Sequence, residues 1–202
     1  MMDYFFKDID FDVGNWYWFR ESVIDSKTIK MIHHFISKQE LVDGFIRKAE
    51  HDKDIRSTKV QWLREETGES VPKDLEDVYN ELSTLSRTIN DQLWKYSVEG
   101  WESFQYAEYR SEESGHYGWH VDSLPRSNGS NSRKLTFVVG LSHKHEYEGG
   151  ELQIMYSTEP CKFKLGKGDF IIFPAFLLHR VTPVTKGVRK TLVGWGRGPN
   201  FV

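Results

Sequence analysis

Apolar residues recur at steps of three and four from Asp74 to Tyr96, at Leu75, Val78, Tyr79, Leu82, Leu85, Ile89, Leu93 and Trp94, with polar and charged residues between them. This period puts the apolar set on one stripe and predicts a long helix with one buried and one charged face, Pro72 and Asp74 marking its start. Ile29, Ile32, His33 and Ile36 repeat the pattern over a shorter span, after Asp25 and Ser26, which can cap a helix. NWYWFRESVI, residues 15–24, is aromatic and β-branched and reads as a strand. Glu40 to Ala49 reads as another helical stretch, and STKVQWL, residues 57–63, as a short strand carrying Val60 and Trp62.

After Gly100 the period shortens. SFQYAEY, HYGWHVD, KLTFVVGLS, ELQIMY, CKFKL, DFIIFP, LLHRVTPV and RKTLVGWG read as eight strands, broken by SNGSNS, EGG, GKG and TKG. Eight short strands with no long helix among them predict a mainly β fold with flanking N-terminal helices, a jelly-roll or cupin-like barrel. The expected organisation is one domain over residues 1–202, with helical support in 1–100 and the barrel in 101–202.

Composition adds mostly exclusions. With 27 basic against 30 acidic residues, net charge −3 and no long run of either sign, nothing electrostatic points to nucleic acid or to an anionic membrane. No apolar stretch approaches the ~20 residues a bilayer needs. The single Cys161 cannot form an intrachain disulfide and is expected to be a buried, inert thiol. The start MMDYFFKDID lacks the pattern of a secretory leader, so a cytoplasmic protein is expected. Oligomeric state is left open.

Three side chains suggest metal chemistry. His120 and Asp122, two apart on a predicted strand, share a face, and His179 can join them from a distant strand. Two imidazoles and one carboxylate form the facial triad that leaves open positions on non-haem Fe(II). Arg189 follows ten residues later. If PVTKG, residues 183–187, is a hairpin loop, Thr182 opposes Val188, Val181 opposes Arg189 and His179 opposes Thr191; His179, Arg189 and Thr191 then share one face, and Arg180 and Lys190 point away. A buried arginine needs an anion, and its planar fork suits a carboxylate. EGG and GKG open no helix and read as turns, not phosphate loops.

HVD at 120–122, YEGGELQI at 147–154, KLGKGDFIIFP at 164–174 and LHRVTPVTKGVR at 178–189 resemble the prolyl-hydroxylase branch of the 2-oxoglutarate- and Fe(II)-dependent dioxygenases, in particular its bacterial and phage-type members, over about residues 104–197. The resemblance implies a double-stranded β-helix, iron on His120, Asp122 and His179, and the distal carboxylate of 2-oxoglutarate on Arg189, where collagen-type members carry lysine. It also implies a tyrosine against the co-substrate, Tyr109 in preference to Tyr117, and a pocket-wall tryptophan at Trp195, a position a plain core residue fits equally. The activity implied is hydroxylation of an unactivated C–H bond using O2, with release of succinate and CO2 and with ascorbate as an accessory reductant. A prolyl residue in a peptide or protein is the expected substrate. The same chemistry on a free amino acid or small metabolite, and a non-catalytic metal-binding module, are the alternatives. Asp122 favours hydroxylation, since halogenating relatives lack that carboxylate. SLPRSNGSNS, just after Asp122, is expected to close over substrate.

Overall fold

A computed structural model describes residues 16–44, 52–63, 73–123 and 131–200. The chain opens with β1 (Trp18–Arg20), α1 (Ser26–Ile36), β2 (Val42–Asp43), β3 (Arg56–Ser57) and β4 (Lys59–Trp62). After one 3-10 turn comes α2 (Glu76–Leu93), then β5 (Gly100–Trp101), β6 (Gln105–Arg110), β7 (His116–His120) and β8 (Ser132–Gly140). The remaining strands are β9 (Tyr147–Gly149), β10 (Leu152–Met155), β11 (Cys161–Phe163), β12 (Phe170–Pro174), β13 (Leu178–Val181) and β14 (Val184–Gly198).

Each of the eight expected strands after Gly100 is present, and β5 and β9 are additional. The strands build two sheets. The larger has the order β1-β12-β8-β14-β6-β4-β2, with β5 and β9 also on β14, and the smaller has β11-β10-β13-β7-β3. From β6 onward the chain passes repeatedly between the two sheets, which is the winding of a double-stranded β-helix.

Period-2 alternation divides the larger sheet between two environments. Leu135, Phe137, Val139, Phe170, Ile172 and Leu192 face outward into a core completed by Ile29 and Ile32 of α1 and Val78, Leu82 and Ile89 of α2. Their neighbours Val138, Ile171 and Phe173 face inward with Leu152 and Ile154 of the smaller sheet. Burying one such side chain stabilises by roughly 1.5 to 3 kcal/mol, so the helices hold the sheet rigid from behind. Asp25 caps α1, its Oδ1 accepting from Thr28 N at 2.7 Å. At the other end α2 stops at Leu93, where the buried Asn90 side chain takes both backbone groups of Tyr96, at 2.9 and 3.0 Å. None of the described helices is long and apolar enough to cross a membrane.

Four expectations need correction. Residues 40–44 of the expected Glu40–Ala49 helix are not helical: Val42 and Asp43 pair with Val60 and Lys59, and a Lys59–Asp43 ion pair at 2.5 Å fixes the register, so strand pairing overrides local propensity. Residues 45–49 lie outside the described ones. Cys161 is half-buried, with its Sγ 2.9 Å from the Tyr156 hydroxyl. The hairpin between β13 and β14 does not exist. Thr182 N donates to Glu151 O, Pro183 has no N–H to give, and Val184 N donates to Gly115 O, so the chain leaves the smaller sheet and enters the larger one. TKG is no break either: Gly187, at φ +69°, lies within β14 beside β9.

Gly194 shows how tightly the outer face is packed. A Cβ there would lie 2.3 Å from two ring atoms of Phe137 and 2.9 Å from Phe104. Gly194→Ala is expected to destabilise the protein by about 1 to 3 kcal/mol, read as a lower denaturant midpoint at unchanged slope.

Candidate active site

The two sheets enclose a cavity of about 180 Å³. One face of β14 forms its floor: Arg189, Thr191, Val193 and Trp195 line it in sequence, a span of ~20 Å at strand rise. Tyr109 and Gln105 of β6 stand beside Arg189 and Val193, and Thr136 and Val138 of β8 beside Trp195 and Val193. The cavity thus has an Arg189 end and a Trp195 end.

The smaller sheet supplies the imidazoles. His120 and His179 are cross-strand partners, with ring centroids 4.2 Å apart. Asp122 lies beyond the end of β7, so strand alternation does not place it. Its N–H and that of Ser123 both donate to Ala175 O at 2.9 Å, and that double bond turns the carboxylate back toward the rings. Asp122 Oδ1 is then 3.7 Å from His120 Nε2 and Oδ2 is 3.4 Å from His179 Nε2. One ligand atom from each of the three residues lies within 4.8 Å of the others.

The surroundings prepare these groups for a cation. Each Nδ1–H donates to a carbonyl at 2.8 Å, His120 to Gly118 and His179 to Leu177, which leaves both Nε2 lone pairs facing the centre. Burial, and then the neighbouring His179, pushes His120 down to about 4, so it is neutral at pH 7. Burial alone would raise the Asp122 carboxyl, but the two imidazoles and the Arg133 guanidinium outweigh it and hold the group below the usual carboxylate range. Thr136 Oγ1 donates to Asp122 Oδ2 at 2.7 Å. A carboxylate and two imidazoles converging on one point fit a divalent transition metal with coordination positions to spare.

At the far end Arg189 is 2% exposed. Its Nη1 is 3.5 Å from Thr191 Oγ1, its guanidinium carbon is 5.1 Å from the Tyr109 ring, and its Nε has no hydrogen-bond partner. No carboxylate among the described residues pairs with it. A cation this deep without an anion is costly, and the space in front of it admits one.

The expected residues therefore meet in one cavity, though His179 and the pair Arg189 and Thr191 come from facing sheets and not from neighbouring strands. Tyr109 stands by Arg189, while Tyr117 stacks on His120 at 3.6 Å. Arg180 points away, its Nε on Gln153 and its guanidinium over Trp119. Trp195 is a wall residue, 7% exposed, with Arg133 at 3.9 Å over its ring and its Nε1 without a partner.

Sequence reasoning missed Arg56, Trp62, Gln105, Arg133 and Thr136. Arg56 donates to Thr58 and to Gln105 and lies 4.7 Å from the Tyr117 ring. Arg133 holds Glu102 through two bonds, at 2.9 and 2.6 Å. Of these, Thr136 had a usable signal, its inward parity on a strand between the apolar, outward-facing Leu135, Phe137 and Val139. Residues 124–130 of the expected closing loop lie outside the described ones.

Residues 104–197 match the family described as the 2OG-Fe(II) oxygenase superfamily. A PKHD-type hydroxylase of Idiomarina loihiensis is 40% identical over 86 residues, covering 43% of this chain and 38% of that protein. One from Synechococcus sp. strain CC9605 is 44% identical over 87 residues, with the same coverage. The chain thus spans well under half the length of these relatives. Among solved structures, a Pseudomonas putida prolyl-4-hydroxylase superposes with TM-score 0.71 at 18% identity, over 92% of this chain and 95% of that one. A Trichoplax adhaerens prolyl hydroxylase in complex with a hypoxia inducible factor peptide fragment gives 0.72 at 17%, over 90% and 83%. At these identities the superpositions establish a shared fold, the double-stranded β-helix.

Proposed function

We propose, from the match of residues 104–197 to the 2OG-Fe(II) oxygenase superfamily, that the protein is a 2-oxoglutarate- and Fe(II)-dependent hydroxylase whose substrate is a prolyl residue in a peptide or protein. The observation that carries this reading is Arg189, a buried cation without a carboxylate partner among the described residues, at the end of a cavity lined also by two imidazoles and a carboxylate. A metal store has no use for such an anchor. The named relatives support the choice of hydroxylation, and the peptide held by the Trichoplax adhaerens enzyme supports a peptide substrate.

His120, Asp122 and His179 are the residues that would hold the iron, and Arg189 would take the distal carboxylate of 2-oxoglutarate in a two-bond fork. Iron bound there supplies the oxidising chemistry, in which O2 and 2-oxoglutarate become succinate and CO2 while a substrate C–H becomes C–OH. The protein's own work is positional. Gly118 O and Leu177 O keep the imidazoles in the ligating tautomer, and Thr136 keeps the Asp122 carboxylate from rotating away. Leu152, Val181, Val138 and Val193 keep water from the space between anchor and metal. Thr191 and Tyr109 orient the guanidinium.

Thr136→Val removes one hydroxyl at nearly constant volume. It is expected to weaken metal binding by about tenfold, checked by titration with Mn(II), with the melting temperature of the metal-free protein little changed. The substrate class is tested by incubation with Fe(II), 2-oxoglutarate, ascorbate and a proline-containing peptide library. Mass spectrometry should find one added oxygen on a prolyl residue, matched by succinate. Succinate formed only with free amino acids would move the assignment to small metabolites, and metal binding with no succinate under any condition would leave a non-catalytic module.

A further inference from the structure

EGG does more than turn the chain. Gly150 has φ +60°, and a Cβ added there would stand 2.9 Å from Arg189 Cδ, 2.9 Å from Val184 Cγ2 and 3.4 Å from Tyr147 Cδ2. Arg189 lines the cavity, whereas Gly150 and Tyr147 do not. The arginine stem thus runs with open space on one side and these two residues directly behind it.

That backing is fixed in place. Tyr147 is 2% exposed, and its hydroxyl donates to Leu165 O at 2.7 Å. Gly150 N donates to Pro183 O at 3.0 Å, and a Cβ on Gly149 would meet the same oxygen at 2.2 Å, so the segment is pressed against the crossing between β13 and β14. Burial raises the Tyr147 phenol, and the adjacent Arg189 guanidinium draws it back part of the way, a further sign that the two groups are close. Neither the backbone at 149–150 nor the tyrosine ring can retreat from a displaced arginine.

We propose that Gly150 and Tyr147 form the back wall that sets the depth at which Arg189 presents its guanidinium, and that this depth selects a five-carbon 2-oxo diacid over those of four or six carbons. The inference rests on the reading of Arg189 as the carboxylate anchor. A diacid held at both ends must match the span from metal to anchor, and one bond of extended chain changes its reach by about 1.2 Å, a third of the length of an extended residue. Paired hydrogen bonds of a guanidinium tolerate only a few tenths of an ångström. Ordinary contact begins at 3.4 Å, so a methyl at position 150 has to drive the Arg189 stem forward by ~0.5 Å. That shortens the span by a substantial fraction of one bond. Both residues act through Arg189 and are positioning residues.

The test is calorimetric titration of Mn(II)-loaded protein, under argon, with oxaloacetate, 2-oxoglutarate and 2-oxoadipate. Wild type is expected to bind the five-carbon acid at least about tenfold more tightly than either neighbour. Gly150→Ala should weaken 2-oxoglutarate by about tenfold while oxaloacetate changes by less than about twofold, so that the preference collapses at unaltered Mn(II) affinity. Tyr147→Phe, which frees the wall from Leu165, should weaken 2-oxoglutarate by about three- to tenfold. A folded Gly150→Ala that keeps the wild-type preference overturns the inference. If that variant does not fold, Tyr147→Phe decides, and unchanged 2-oxoglutarate affinity there overturns it equally. Arg189→Ala in the same series separates the two readings: wild-type binding by that variant removes the anchor itself, whereas lost binding beside intact behaviour of the other two variants removes only the wall.

Discussion

Asp122→Ala is expected to lower hydroxylation by at least about 10³-fold while leaving the fold standing. The residue belongs to none of the hydrophobic clusters, and the backbone bonds from Asp122 and Ser123 to Ala175 do not involve its side chain. What is lost is the only carboxylate, among the described residues, between His120 Nε2 and His179 Nε2. Two imidazoles alone retain divalent metal poorly, and roughly 4 kcal/mol of lost stabilisation already corresponds to three decades in rate. Mn(II) titration and succinate release measure the two halves of the effect, and a circular dichroism spectrum matching wild type checks the fold. Full hydroxylation by Asp122→Ala would falsify the ligand assignment.

Arg189→Ala is the second large effect, and it falls on the co-substrate. Removing one partner of a buried, charge-assisted pair costs about 2 to 5 kcal/mol, so the Michaelis constant for 2-oxoglutarate should rise by about 30-fold or more with Mn(II) affinity unchanged. A companion variant exposes the other side of the same physics. In the ligand-free protein Arg189 is a buried cation whose Nε is unsatisfied, and Arg189→Met keeps volume while removing that penalty. Its melting temperature without ligand should equal or exceed wild type, while the rise on adding 2-oxoglutarate, clear in wild type, disappears. An unchanged Michaelis constant in Arg189→Ala would mean that the co-substrate is anchored elsewhere.

Much of this was legible because two periods carry different information. The three- and four-residue recurrence from Leu75 to Leu93 marks the helix that buttresses the larger sheet, and strand alternation correctly pairs Arg189 with Thr191 and Trp195 on one face. Motif spacing brought His120, Asp122 and His179 together. What failed was the step from face to partner. Local turn chemistry at PVTKG suggested a hairpin, but the hydrogen bonds that send β14 into the other sheet come from Glu151 and Gly115, more than thirty residues away in the chain, and nothing in the turn itself encodes them. Val42 and Asp43 failed likewise, because pairing with β4 decides their state. Arg56 and Arg133 carry no periodic signature at all; their roles depend on Gln105, Glu102 and Trp195, contacts that exist only once the barrel has closed.

The order of the strands also constrains how the protein can be made. β14 lies between β8 and β6 in the larger sheet and bonds to both. A nascent chain that has emerged only as far as β13 holds two strands, each with a bare hydrogen-bonding edge toward a neighbour not yet synthesised, and such edges recruit other chains. Closure therefore waits until residues 184–198 have left the ribosome, and the floor of the cavity arrives with them. Pulse-labelled chains stalled before position 184 should be protease-sensitive and aggregate, and neither metal nor co-substrate should rescue them.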